Sequence, residues 1–348
     1  MRRHSTYPHA YVAPDFQLRA AESQLVPVDV AMRTSHFEGS ARRARRMPEH
    51  QVRGVSGSSA QGDQIHIFDL AGGMDSSNLK PVRISGDGKT SDDRIVEAAL
   101  RNALIVQKFY TDVFGRDSIT GDGMPLEICV HYGDRLNNAL WDGAQFLFGD
   151  GDGRIYLPFA QSLEVVAHEL SHAMIDSTSG LAYSGESGAL NESFADVMAA
   201  MVVQREADVT VEQASWVMGA DVLNPALGLA GIRSFKTAPV FQNHPNLKSD
   251  TQPKHYDDYV EDPDEDWMVH ANAGIPNHAF YLSATRLGGK AWEVAGQIWF
   301  EAFVKLVPTA DFVAAAQKTI WTAEAFQNPE AAEAFREAWA AVGIKIEG

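Results

Sequence analysis

Leu163-Glu164-Val165-Val166-Ala167-His168-Glu169-Leu170-Ser171-His172-Ala173-Met174-Ile175 is the run from which the rest of the chain is read. Neither glycine nor proline interrupts it, and the spacing predicts a helix over 163–177. Residues four apart share a helical face, so His168 and His172 present two imidazoles side by side, as a single metal ion requires. Glu169 lies one position on, turned off that axis, where a base for an attacking water belongs. Two histidines on an ordinary helix would have the same spacing, so the motif calls for a third ligand.

That ligand is supplied by Gly188-Ala189-Leu190-Asn191-Glu192-Ser193-Phe194-Ala195-Asp196-Val197-Met198, part of a second predicted helix over 188–204. A carboxylate among apolar neighbours calls for a charged partner or a metal. Glu192 completes a His₂Glu set whose fourth position stays open, the layout of a catalytic and not a structural zinc. The donors favour zinc over other divalent ions without excluding them. Asp196, one helical turn beyond Glu192, is placed to orient a ligand imidazole.

Outward from these helices, the two halves of the chain differ. Before residue 162, period-two patterns predict strands at 64–70, 126–132 and 144–148, with one long helix over 92–114 ended by Gly115. After Gln161 helical patterns follow one another at 163–177, 188–204, 273–287, 291–307, 309–327 and 329–342, separated by a Pro-, Asn- and Asp-rich stretch at 235–266 that reads as a loop. The expected class is α+β. The expected division is a leading segment 1–50, a strand-rich lobe 51–161 and a helical lobe 162–348.

Composition narrows the function classes. A formal charge of −17 opposes binding to nucleic acid and to anionic membrane surfaces. No stretch reaches the roughly 18 apolar residues of a membrane-spanning helix, so no membrane partner is expected. The single cysteine, Cys129, lies in an apolar strand pattern and reads as a buried core residue. Met1-Arg2-Arg3 begins basic without a following apolar run, so no secretory signal is read, and a cytoplasmic location or export by a non-classical route is expected.

The two metal motifs, nineteen residues apart, with Val130-His131-Tyr132-Gly133, Asn137-Asn138-Ala139-Leu140-Trp141, Phe148-Gly149-Asp150-Gly151-Asp152-Gly153, Gly231-Ile232-Arg233-Ser234 and Val269 to Phe280, resemble the thermolysin-like zinc peptidases, in particular their protealysin-like branch. The resemblance covers about residue 60 to the C-terminus. It implies a two-lobe fold with zinc in the cleft, and endopeptidase activity on peptide or protein substrates. It implies that His270 and Tyr183 stabilise the oxyanion, that Asn191 supports Glu192 from the second helix, and that Arg233 binds the substrate carbonyl. Asn138 and Ala139 match the edge strand that pairs with substrate backbone. Tyr156, Phe159, Val165, Met218, Ile232 and Arg233 would form the pocket after the scissile bond, which implies cleavage before bulky apolar residues. His131 and His278 are read as structural.

Departures from the family pattern matter too. Glu265-Asp266-Trp267-Met268 stand where the family carries a small Asp-Asn-Gly-Gly stretch, so the carboxylate orienting His270 is read as Glu265 or Asp266, and Trp267 and Met268 would reshape the cleft wall. Of the carboxylates that hold the family's double calcium site Glu164 is kept, while matching positions read Val203, Ser215, Val217 and Ala220, so no double calcium site is expected. The Asp150–Asp152 turn reads either as a weak calcium site or as a plain turn. The first 50 or so residues resemble a short pro-segment, expected to cover the cleft until cut near residues 40–55. Two rival readings stand beside the endopeptidase: an inactive zinc-binding interaction protein on the same fold, against which intact Glu169, Tyr183 and His270 weigh, and a zinc aminopeptidase, against which the edge-strand block weighs.

Overall fold

The structure, a computed structural model, describes residues 9–12, 63–236, 240–242, 244, 250, 252–261 and 265–346, with the backbone alone for 265–267. The cut region expected near residues 40–55 lies outside the described residues. Two compact units divide at Ser177/Thr178. The compositional change at 161/162 precedes this division, because the metal-motif helix packs on the first unit's long helix and sheet.

In the first unit, strands β1 (His9–Ala10), β2 (Ile65–Asp69), β3 (Arg83–Ile84), β4 (Leu126–Val130), β5 (Ala139–Trp141) and β6 (Phe146–Phe148) form one sheet in the order β1-β5-β6-β4-β2-β3. Strands β2, β4 and β6 run parallel, with antiparallel β3 beside β2 and antiparallel β5 beside β6. Helix α1 (Arg94–Phe114) packs on β2 and β4. It begins where Asp93 accepts from the N–H groups of Ile95 and Val96, and it ends at Gly115, whose φ of 63° is the left-handed cap that glycine adopts without cost. Cys129 is fully buried, and burial pushes its thiol up to about 12, so it is an inert core side chain. Helix α2 (Leu163–Ser177) carries the histidine pair, and Ser162 Oγ accepts from Val165 N–H at its start.

The turn after β6 is held by the chain itself. Asp152 accepts from the N–H groups of Arg154 and Ile155, each at 2.8 Å, and Asp150 accepts from His131. Gly151 sits at φ 67°, and a Cβ there would lie 2.4 Å from the Tyr156 carbonyl, so the turn closes only on glycine. His131 bridges this turn to the start of α1, with Nδ1 2.7 Å from Asp150 and Nε2 3.0 Å from Asp93. The Asp150 hydrogen bond, with its charge and that of Asp93, raises the His131 imidazolium to about 9. Relative to an unfolded value of about 6.5, this stabilisation is full below pH ~6.5 and is lost as pH rises through about 9. Both aspartates are partly solvated, which discounts the effect. His131→Gln is expected to cost about 1–2 kcal/mol at pH 6 and far less at pH 9.5, read by urea unfolding at both pH values.

The second unit is helical, with α3 (Gly185–Glu206), α4 (Glu265–Asn272), α5 (Gly274–Leu287), α6 (Val294–Phe303), α7 (Phe312–Ala325) and α8 (Pro329–Ala341). Helix α3 is buried on every side from Ser187 to Val202, so it is this unit's central helix. Stacked Trp299 and Trp339, centroids 5.8 Å apart and ring planes nearly parallel, pin α6 to α8. A short hairpin pairs β7 (Val217–Met218) with β8 (Arg233–Ser234). Helix α4 starts inside the stretch expected to be loop. Its first residues are acidic, which suits a helix start yet shows no apolar period.

Candidate active site

On α2, His168, Glu169 and His172 are all fully buried. The two imidazoles stand at 84° to one another with their Nε2 atoms 3.0 Å apart. Two nitrogens bound to one tetrahedral zinc at about 2.0–2.1 Å would lie about 3.3 Å apart, so the pair is set for a shared ion. In the second unit, buried Glu192 offers a carboxylate oxygen from α3. Two nitrogens from the first unit and a carboxylate oxygen from the second are, by donor type, the set of a catalytic zinc.

Around Glu192 the second unit builds a compact acid–base cluster. Tyr183 Oη donates to Glu192 Oε1 at 2.5 Å, His270 Nδ1 lies 3.0 Å from Glu192 Oε2, and Tyr183 Oη lies 3.2 Å from His270 Nε2. His270 reaches the cluster from α4, whose carbonyl at His270 accepts from Gln252. The side chains of Glu265, Asp266 and Trp267 lie outside the described residues, and Met268 is buried. Gly188 permits the approach of α4, since a Cβ there would lie 2.5 Å from Val269 Cγ1. Asn191 donates to the Leu181 carbonyl and so fixes the segment that carries Tyr183 into α3.

One turn past Glu192, Asp196 takes Arg233 in a two-pronged pair, at 2.9 Å to Nε and 2.5 Å to the second nitrogen, and accepts from Asn277 Nδ2 at 2.9 Å. All three residues are buried. Nearby in charge is Lys254, whose ammonium burial pushes down to about 8 and whose Nζ has no hydrogen-bond partner among the described residues. Ile232 donates to the Met218 carbonyl across the β7–β8 hairpin, which sets Met218 opposite Arg233.

Within the first unit, Tyr156, Phe159 and Val165 are all fully buried, and the Tyr156 and Phe159 rings are 5.3 Å apart. Strand β5 carries β1 as its antiparallel neighbour, with Ala10 opposite Leu140 and His9 opposite Trp141. Tyr11 N–H donates to the Ala139 carbonyl at 3.0 Å. Asn138 then grips the next residue from its side chain, accepting from Val12 N–H at 2.9 Å and donating to the Val12 carbonyl at 3.2 Å.

Residues 59–176 match the model of the thermolysin metallopeptidase catalytic domain, and residues 179–344 that of its alpha-helical domain. The chain belongs to the thermolysin family. It is a zinc metalloendopeptidase, with an α+β fold whose six-stranded sheet lies in the N-terminal domain and whose C-terminal domain is mainly helical. It is 40% identical to an extracellular metalloprotease of Pectobacterium carotovorum subsp. carotovorum over 269 residues, 77% of each chain. Protease PrtS of a Photorhabdus strain is 39% identical over 76% of this chain and 72% of its own. Among solved structures, the precursor of protealysin from Serratia proteamaculans superposes with a TM-score of 0.85 at 33% identity, covering 97% of this chain and all of that one. Within the thermolysin-family frame, Asn277 and the Tyr11–Glu164 pair are additions that motif reading passed over. Asn277 sits in the His270 block without a role of its own, and Tyr11 lies outside every motif.

Proposed function

We propose that this thermolysin-family chain is made as a precursor, cleaves internal peptide bonds before bulky apolar residues, and is held back by its own leading residues. The observation that carries the precursor reading is the addition of His9–Ala10 to β5, with Asn138 gripping Val12 through both backbone groups. An extended peptide added to a sheet edge gains affinity from main-chain hydrogen bonds and specificity from its side chains. A substrate needs that same edge, so the leading segment competes with it.

His168, His172 and Glu192 would hold the zinc, which when bound would acidify the attacking water and polarise the scissile carbonyl. Glu169 takes the proton from that water and returns it to the leaving amine. Tyr183 and His270 donate to the oxygen on which negative charge develops, and Arg233 holds the substrate carbonyl. Asp196 holds Arg233 in place and, with Asn191, supports the ligand set from the second helix. Asn138 and Ala139 bind the substrate backbone. The pocket after the cleaved bond is drawn from Tyr156, Phe159, Val165, Met218, Ile232 and Arg233.

An internally quenched peptide with blocked ends, carrying a bulky residue after the intended scissile bond, tests this reading. Hydrolysis is expected to be abolished by 1,10-phenanthroline, restored by added zinc, and preceded by a lag that disappears once residues 1–50 are removed. No turnover by the zinc-loaded, processed chain would overturn the endopeptidase reading, and turnover without a lag would overturn the precursor reading.

A further inference from the structure

We propose that the enzyme prefers tyrosine after the scissile bond, with Glu164 as the residue that reads its hydroxyl. The inference rests on the endopeptidase reading above and names the side chain that its pocket selects. Tyr11 is the observation behind it. This residue lies in the register of a peptide added to β5, is fully buried, and donates from its phenol to Glu164 Oε1 at 2.5 Å. Its ring meets Phe159 edge-on at 6.4 Å and His168 at 5.1 Å. The side chain that follows the strand addition thus enters among the first-unit residues assigned to the pocket, and at its far end it meets a carboxylate. Glu164 is only 7% exposed, in the first turn of α2 beside Val165.

The ring walls accept phenylalanine and tyrosine alike, so the choice between them falls to Glu164. An O–H donated to a carboxylate is among the stronger hydrogen bonds available to a side chain. Pockets that discriminate by size alone separate similar apolar groups weakly, whereas a buried acceptor separates a phenol from a benzyl group much more sharply. Since Tyr11 reaches Glu164 while its own backbone holds Ala139, a substrate tyrosine in the same register meets the same acceptor.

The test uses the processed, zinc-loaded enzyme and three blocked, internally quenched peptides that differ only in tyrosine, phenylalanine or leucine after the scissile bond, with the cut site read by mass spectrometry. The wild type is expected to cleave the tyrosine peptide with a kcat/KM roughly 10–100-fold above the phenylalanine peptide. Glu164→Gln, which keeps the size but not the charge, is expected to cut that ratio several-fold, and Glu164→Leu to bring it to about one. Because the readout is a ratio within each variant, partial loss of folded protein does not mimic the effect. Equal cleavage of tyrosine and phenylalanine peptides by the wild type, or a tyrosine preference that survives both variants, would overturn the selection and leave the endopeptidase standing. Cleavage of none of the three would overturn the endopeptidase reading and this inference with it.

Discussion

Glu169→Gln is expected to lower kcat on a blocked peptide by about a thousandfold, with zinc still bound at one ion per chain. The amide matches the carboxylate in size, so the fully buried position stays filled and the histidine pair on the same helix keeps its packing. What is lost is the capacity to take a proton from water and return it to the amine, and positioned proton transfer accounts for about 10²–10⁴-fold in rate. The loss is expected in kcat with KM little changed, because the missing interaction belongs to the transition state. His168→Ala is expected to lose activity by another route, through loss of the ion, so metal analysis on both variants separates base from ligand. A decrease below tenfold in Glu169→Gln with zinc retained would place the base elsewhere.

The helix that carries the histidine pair was legible because a step of four residues from His168 to His172 fixes a shared face whatever surrounds it. Helix α1 was equally legible, since its apolar period is sustained over many turns and Gly115 marks its end with a backbone requirement of its own. Strands β3, β7 and β8 were not, because two residues carry no period. Helix α4 was hidden by its acidic start, and its His270 was ambiguous on its own, since a lone histidine on a helix packs or caps as readily as it donates. Only the family blocks singled it out. Tyr11 was invisible for a different reason. Its significance comes from contacts with Ala139, Phe159, Glu164 and His168, more than a hundred residues away in sequence, and no local pattern encodes them.

Asp196→Ala is expected to lower the unfolding free energy by about 3–5 kcal/mol, measured by urea unfolding in the Glu169→Gln chain to prevent self-digestion. The carboxylate is 1% exposed and its partner Arg233 is 4% exposed, so removing it takes a two-pronged counter-charge from a guanidinium that water scarcely reaches. Asn277 loses its acceptor in the same step. A buried ion pair contributes little against an apolar pair of the same volume, yet breaking it from one side is costly. Asp196→Leu with Arg233→Met is therefore expected to be more stable than Asp196→Ala alone, with a coupling above 1.5 kcal/mol in the double-mutant cycle. Additive effects would mean that the pair is solvated and structurally idle. With Glu169 restored, the double variant is expected to fold but to hydrolyse peptide poorly, since the donor proposed for the substrate carbonyl is gone. Stability recovered without turnover would show that Arg233 acts on substrate beyond its part in packing, whereas recovery of both would reduce it to a counter-ion for Asp196.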